Sequence, residues 1–274
     1  MGALSFQRMP FGGEPARFGD IRRFDELDST NRLALELAAG GAPEGIIVVT
    51  DHQTAGRGRR GRTWSAPPHS ALLASVLLRP ALAPASAPVV AMAVALAAVD
   101  ACGDVAGVRP ALKWPNDLVD PTSLGKLAGL LAETMVNGDR LAAVVVGLGL
   151  NVTPAAATLA GAVCLDDLAG RPIDRKELLA SWLSHLERRY AGVVAPGGVV
   201  AVLEAYRHGC ATLGRVVRVE LASGWFEGRA ADVSDAGHLV VDTDTGRRQV
   251  SAGDVVHLRP AQNGVGRTEG ASLP

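Results

Sequence analysis

Residues 127–147 read LAGLLAETMVNGDRLAAVVVG, and this stretch decides the fold. Two apolar runs, 127–135 and 140–147, are joined through Asn137-Gly138, a dipeptide that suits a tight hairpin turn whose central residues need positive φ. A hairpin is antiparallel, so the sheet containing it is not a purely parallel, doubly wound one. Outward from the hairpin, 46–50 and 71–78 read as strands and 89–102 as a buried, Ala-rich helix. A short helix follows Ser29 or Thr30 and closes at Gly40-Gly41. Asp174 with Glu177 forms a capping box for a helix that puts Leu179, Trp182, Leu183, Leu186 and Tyr190 on one face, and a second helix covers 199–208. The fold expected is an α/β (α+β) domain, a mixed sheet with flanking helices. After Gly214 the period changes to alternation at Val217, Val219 and Leu221. Short runs at 225–233, 238–241, 248–251 and 255–258 follow between Gly and Asp turns. Such spacing predicts a small β-barrel. The expected organisation is a mobile tail over 1–20, a large domain over 21–211, the barrel over 212–260 and a second tail over 261–274.

The chain has 274 residues, 48% of them hydrophobic, and a net charge of −1 from 27 basic and 28 acidic side chains. It can bury a substantial core, and its overall charge names no partner. The strongly apolar stretch 88–102 is shorter than the roughly 20 residues of a membrane span, and no secretory or myristoylation signal opens the chain, so a cytoplasmic protein without membrane contact is expected. Cys102, Cys164 and Cys210 are odd in number and form no CxxC, which predicts buried thiols rather than disulfides or structural zinc. Only Lys113, Lys126 and Lys176 are lysines among the basic residues. In an arginine-rich background a retained lysine raises the question of what a compact ammonium does there.

The segment 51–69 has no apolar periodicity, and a loop of that length in a compact domain points to function. Within it Gly56-Arg57-Gly58-Arg59-Arg60-Gly61-Arg62 packs four guanidiniums into seven residues, followed by Trp64. Arginine forks bind carboxylate or phosphate oxygens in pairs, and the glycines let the backbone approach a ligand. The spacing of Gly56, Gly58 and Gly61 matches a dinucleotide fingerprint. That motif must open a helix, however, and Pro67-Pro68 follow instead. An arginine-glycine RNA-binding segment is a second reading, weakened because the motif is single and lies between core strands. No P-loop is present, since Gly125-Lys126 is followed by Leu127. Lys113-Trp114-Pro115-Asn116-Asp117 places a cation, an aromatic ring, an amide and a carboxylate around a turn. Taken alone it is an ordinary turn, Lys126 with Gly129 is a surface lysine beside a packed glycine, and Gly147-Leu148-Gly149-Leu150-Asn151 is a strand ending in a bulge.

In this order, however, Ser29-Thr30-Asn31, the Gly-Arg loop, Lys113 to Asp117, Gly125-Lys126-Leu127-Ala128-Gly129 and Gly147 to Asn151 resemble the successive signatures of biotin protein ligases. The resemblance covers roughly residues 28–151, and beyond it only the barrel-like ending matches. It implies a catalytic domain related to class II aminoacyl-tRNA synthetases with a C-terminal SH3-like barrel. The implied reaction joins biotin and ATP to biotinyl-5′-AMP and pyrophosphate, then transfers biotin to a lysine of a biotin carboxyl carrier protein. Lipoate or octanoate ligation or transfer on the same fold is the alternative within chemistry, and RNA binding the alternative outside it.

The resemblance further implies biotin contacts from Ser29, Thr30, Asn31, Gln53, Gly56, Arg57, Gly58, Arg59, Lys126, Gly129 and Gly147. It implies ATP or adenylate contacts from Arg59, Arg60, Arg62, Trp64, Lys113, Asn116 and Asn151, with Arg60 and Arg62 escorting pyrophosphate and Trp64 stacking on adenine. Lys126, Arg57 and Asp117 are the catalytic candidates, Asp117 acting on the incoming lysine. Magnesium is expected to accompany ATP, with no ligand assigned. Only 28 residues precede Ser29, which predicts no helix-turn-helix module and no DNA binding, and a monomer or weak homodimer is expected. The segment 118–125 is about two residues longer than the family pattern. It predicts a looser hairpin between Asp117 and Lys126. Mutual repulsion of the arginines predicts that the 51–69 loop orders on ligand binding.

Overall fold

The computed structural model describes residues 5–8, 17–157, 159–221, 224–251 and 253–257. The expected tail over 261–274 lies outside these residues. The large sheet is built from β1 (Ser5–Arg8), β2 (Asp20–Leu27), β3 (Ile46–Gln53), β4 (Ala71–Leu78), β5 (Ala111–Lys113), β6 (Asp117–Val119), β7 (Lys126–Asn137) and β8 (Arg140–Asn151). Its order is β1-β2-β3-β4-β8-β7-β6-β5. Only β2 and β3 run parallel, and every other neighbouring pair is antiparallel. The expected mixed sheet is therefore present. The β7–β8 turn differs in detail from expectation. Asn137 pairs with Arg140, so the central residues are Gly138 and Asp139, and Gly138 alone takes positive φ, at 60°. That is the requirement of a II′ turn rather than a I′ turn.

Parity along the strands divides the core in two. On one face Ile46, Val48, Leu77, Ala143 and Val145 pack against Ala34 and Ala38 of α1 (Thr30–Ala39). On the other, Ile47, Val49, Ala74, Val76, Val144 and Val146 face α2 (Ala87–Ala106) and α4 (Arg175–Val194). β4 is apolar at nearly every position because both its faces are covered. The helix α2 is longer than the expected 89–102, and Pro84–Ala106 is apolar enough by composition to cross a membrane. Here, though, 78% of its most apolar window is buried inside the protein. The face predicted for α4 is buried in full, and Asp174 caps that helix by accepting from the Lys176 N–H. Two shorter helices, α3 (Leu165–Ala169) and α5 (Gly198–Gly209), complete the layer. Arg79 binds the carbonyls of Ala38 and Ala42, holding the C-terminal end of α1 on the sheet.

The segment expected as a mobile N-terminal tail contains β1, which pairs with the start of β2. The C-terminal elements β9 (Val216–Leu221), β10 (Gly224–Val233), β11 (Leu239–Thr243), β12 (Gly246–Val250) and β13 (Asp254–His257) form an antiparallel sheet of order β12-β11-β10-β9-β13. Five strands were expected and five are found. No ladder joins β12 to β13 among the described residues, so closure into an SH3-like barrel is not part of the observed pairing. The α2/α4 face of the large sheet and the buried face of the C-terminal sheet share one apolar cluster, with Val217, Val219 and Val241 in it beside Leu112, Leu118 and Tyr206.

Candidate active site

A cavity of about 430 Å³ opens on the α1 face of the large sheet, beyond the N-terminus of α1. Two rows of side-chain positions run across the strands beneath it, and Leu131, Gly147, Gly129, Gly149 and Asp117 of these rows line it. In one, Ser75 of β4, Gly147 of β8 and Leu131 of β7 lie side by side. In the other, two residues along, stand Leu73, Gly149, Gly129 and Asp117 of β6. The glycines make room for what lies above. A Cβ on Gly147 would sit 2.2 Å from Asn31 Oδ1, and one on Gly149 would sit 2.5 Å from the Trp64 ring. Pairing runs regularly through Gly147 to Asn151, so this segment is a continuous strand and not a bulge.

Over the first row lies a polar wall. Ser29, Thr30 and Asn31 are each under 5% exposed. The Ser29 hydroxyl is the N-cap of α1, accepting from the Arg32 N–H at 3.4 Å. Gln53 Oε1 accepts from the Thr30 N–H at 2.9 Å and lies 3.2 Å from the Thr30 hydroxyl. Ser75 Oγ lies 2.8 Å from Thr30 Oγ1 and 2.6 Å from Asn31 Oδ1. Two hydroxyl protons thus serve three contacts, which leaves acceptor capacity in every arrangement. The Asn31 amide donates to Leu131 O at 3.0 Å and to Glu133 Oε2 at 2.9 Å, fixing its oxygen toward Ser75.

Over the second row lies the charged end. Trp64 rests on Gly129 and Gly149, with the Lys126 ammonium 5.6 Å from its ring centre. The indole Nε1 is buried and has no hydrogen-bond partner among the described residues. Lys126 Nζ is 2.7 Å from Asp117 Oδ1, an ion pair whose approach is off the hydrogen-bonding direction. The Gly-Arg loop folds as a narrow hairpin, with Gly58 N–H donating to Arg62 O and Trp64 N–H to Gly56 O. Arg57 meets Glu133 at 3.1 Å, Arg59 meets Asn116 Oδ1 and Gly253 O, and Arg60 meets Glu220 O. Repulsion among the guanidiniums, the ground for expecting order only on ligand binding, is offset here by protein acceptors. The longer 118–125 segment is also not loose. Asp120 accepts from the Ser123 N–H and hydroxyl, which hold its carboxyl below the usual carboxylate range, and Asp120 N–H donates to Gly125 O at 2.9 Å.

Of the predicted residues, Ser29, Thr30, Asn31, Gln53, Arg57, Gly58, Arg59, Arg62, Trp64, Lys113, Asn116, Asp117, Lys126, Gly129, Gly147 and Asn151 line this one cavity. Two predicted residues do not. Gly56 is buried behind the loop, where a Cβ would meet Trp64 O at 2.4 Å, and Arg60 turns to the C-terminal sheet. Asn151 lines the cavity, but its amide is spent on Val163 O at 3.1 Å. Residues no motif marked also take part: Ser75 and Glu133, bonded to Asn31 behind the lining, and Glu220, Val255 and Val256, which line the cavity from the C-terminal sheet. Ser75 had a signal, being a polar residue in an otherwise apolar run. Trp114 also borders the cavity, but its ring is mainly structural. It is 2% exposed and ties the sheets together through Nε1 to Gly237 O and its N–H to Thr212 Oγ1. Among the described residues no group of three or more His, Cys, Asp or Glu side chains could hold a metal.

An amide-and-hydroxyl pocket beside an arginine and lysine cluster, on a mixed sheet with a β-rich C-terminal domain, defines a ligase of the biotin and lipoate type. Residues 24–151 match the biotin/lipoate A/B protein ligase family and residues 212–258 match the biotin protein ligase C terminal domain. The chain is 40% identical over 242 residues to the biotin–[acetyl-CoA-carboxylase] ligase of Mycobacterium tuberculosis, covering 85% of this chain and 87% of that protein. It is 32% identical over 262 residues to the bifunctional ligase/repressor BirA of Bacillus subtilis, covering 93% and 79%. The solved structure of the biotin protein ligase from Aquifex aeolicus in complex with biotin and ATP aligns with a TM-score of 0.72 at 25% identity, over 89% of this chain and all of that one. The chain belongs to the biotin protein ligase family.

Proposed function

We infer that this chain activates biotin with ATP as biotinyl-5′-AMP and then passes the biotinyl group to a lysine of a biotin carboxyl carrier domain. The observation that carries the reading is the joining of two chemistries in one cavity: a neutral donor-and-acceptor wall at Thr30, Asn31 and Gln53, and a cationic end at Lys126 and the Gly-Arg loop. The wall suits a ureido group, which needs both donors and acceptors. The cationic end suits the meeting of a carboxylate with a triphosphate. In the first step a carboxylate oxygen attacks the α-phosphorus and pyrophosphate leaves. At about 4 Å and an effective dielectric near 20 each charge pair is worth on the order of 4 kcal/mol, so a few cations govern this rate.

Lys126 is the residue placed to neutralise the carboxylate and a non-bridging phosphate oxygen, with Arg57, Arg59 and Arg62 around them. Trp64 offers the adenine its outer face, the inner one being spent on the glycine floor. Lys113 and Asn116 stand on the nucleotide side. Asp117 holds Lys126 in place and takes up the proton of the incoming carrier lysine in the second step, since an amine attacks only when neutral. Magnesium, were it to accompany ATP, would be held mainly by the phosphates and would supply charge neutralisation there. The match of residues 212–258 to a biotin-specific C-terminal domain supports biotin over lipoate or octanoate. The contacts of Arg57, Arg59 and Arg60 with the protein weigh against an RNA-binding stripe. The test is transfer. Incubated with ATP, biotin and a carrier domain, the protein is expected to add one biotinyl mass to the carrier lysine. Transfer of lipoyl in its place would overturn the substrate.

A further inference from the structure

Glu133 is a carboxylate in an apolar setting. It follows Leu131 by two residues on the α1 face of β7, opposite Val145 of the apolar cluster beneath α1. Its side chain is 26% exposed, and even partial withdrawal of a carboxylate from water is costly unless it is paired. The pairing is unusual in form, because one oxygen does both tasks. Glu133 Oε2 accepts from Asn31 Nδ2 at 2.9 Å and from Arg57 Nη2 at 3.1 Å. Asn31 is 4% exposed and held at its other end by Ser75, whereas the Arg57 side chain is 45% exposed on the Gly-Arg loop. This oxygen therefore joins the fixed wall of the pocket to the loop that covers it.

We propose that Glu133 is a positioning residue for adenylate formation and retention, setting the Gly-Arg loop in register over the pocket through Arg57 while fixing the orientation of the Asn31 amide. The proposal rests on the reading of this cavity as the site of biotin activation. Charge is the decisive property. A glutamine keeps an oxygen for Asn31 but offers Arg57 a neutral acceptor, and hydrogen bonds to a charged group are about twice as strong as neutral ones. On its own this partly exposed ion pair would contribute little. Here the second bond, from a buried amide, holds the carboxylate still and spares Arg57 part of the ordering cost.

The test compares wild type with Glu133→Gln and Glu133→Asp by three measurements. These are the rate of tryptic cleavage within residues 57–62 of the ligand-free protein, the rate at which labelled biotinyl-adenylate leaves after a single turnover, and the melting midpoint. In Glu133→Gln, loop cleavage and adenylate release are expected to quicken about tenfold and the KM for biotin to rise, while adenylate formation at saturating biotin changes far less. Glu133→Asp, which keeps the charge, is expected to recover most of the loop protection. Wild-type cleavage and release in Glu133→Gln would overturn the proposal, as would a lowered melting midpoint with release unchanged. Failure of the wild type to form any biotinyl-adenylate would overturn the functional reading instead. The cleavage comparison would still report on Glu133.

Discussion

Lys126 stands over the second row of the site, 2.7 Å from Asp117 and beside the Trp64 ring. A compact ammonium on a flexible stem can turn from Asp117 toward an anion without breaking a planar fork, which answers why a lysine persists among so many arginines. Lys126→Ala is expected to slow biotinyl-adenylate formation by about 10²–10³, the loss typical of removing one preorganised charge from a reacting centre. Single-turnover formation of labelled adenylate measures it, and near-normal formation would contradict the assignment. Gly147→Ala acts on the other end. Its Cβ would collide with Asn31 Oδ1, so biotin affinity is expected to fall about tenfold or more in a titration, with nucleotide binding affected far less. The residue-scale pattern was readable because glycines, arginines and the lysine are chemically distinctive. Ser75 and Glu133 were not read, because their roles depend on cross-strand register that no local spacing reveals.

At the scale of elements, the turn between β6 and β7 shows how an insertion is absorbed. Extra residues at 118–125 close on themselves through Asp120 and Ser123 and leave the Asp117 to Lys126 contact intact. Because these bonds depress the Asp120 carboxyl in the folded state, its contribution to stability is present above the ordinary carboxylate range and is lost as pH falls through the folded value. Asp120→Asn is therefore expected to destabilise the protein slightly near neutrality, by a few tenths to about 1 kcal/mol. The gap between variant and wild type should close in strong acid. Denaturant titrations at several pH values check both parts, and a gap that widens in acid would contradict them. The hairpin, α1 and α4 were legible because periodicity, caps and turn residues agree there. β1 and β2 were not. β2 carries Arg22, Arg23, Asp25 and Glu26 toward the sheet edge, so its sequence lacks the alternation that marks a half-buried strand.

In the whole molecule the C-terminal sheet is part of the site rather than an appendage. Arg59 and Arg60 reach Gly253 O and Glu220 O, Trp114 reaches Gly237 O, and the apolar core runs unbroken between the sheets. A single cooperative unfolding transition is expected by circular dichroism and by tryptophan fluorescence alike, and two separated transitions would contradict a shared core. The family signature was legible only over residues 28–151. Beyond it, short alternating strands specify a sheet through generic apolar positions and carry few chemically marked residues. The central claim is biotin activation in this cavity, and ATP–pyrophosphate exchange tests it most directly, run on the purified protein with biotin, lipoate, octanoate or no acid. Exchange that requires biotin and disappears in Lys126→Ala is the predicted result. Exchange supported equally by lipoate, or none with biotin, would contradict it.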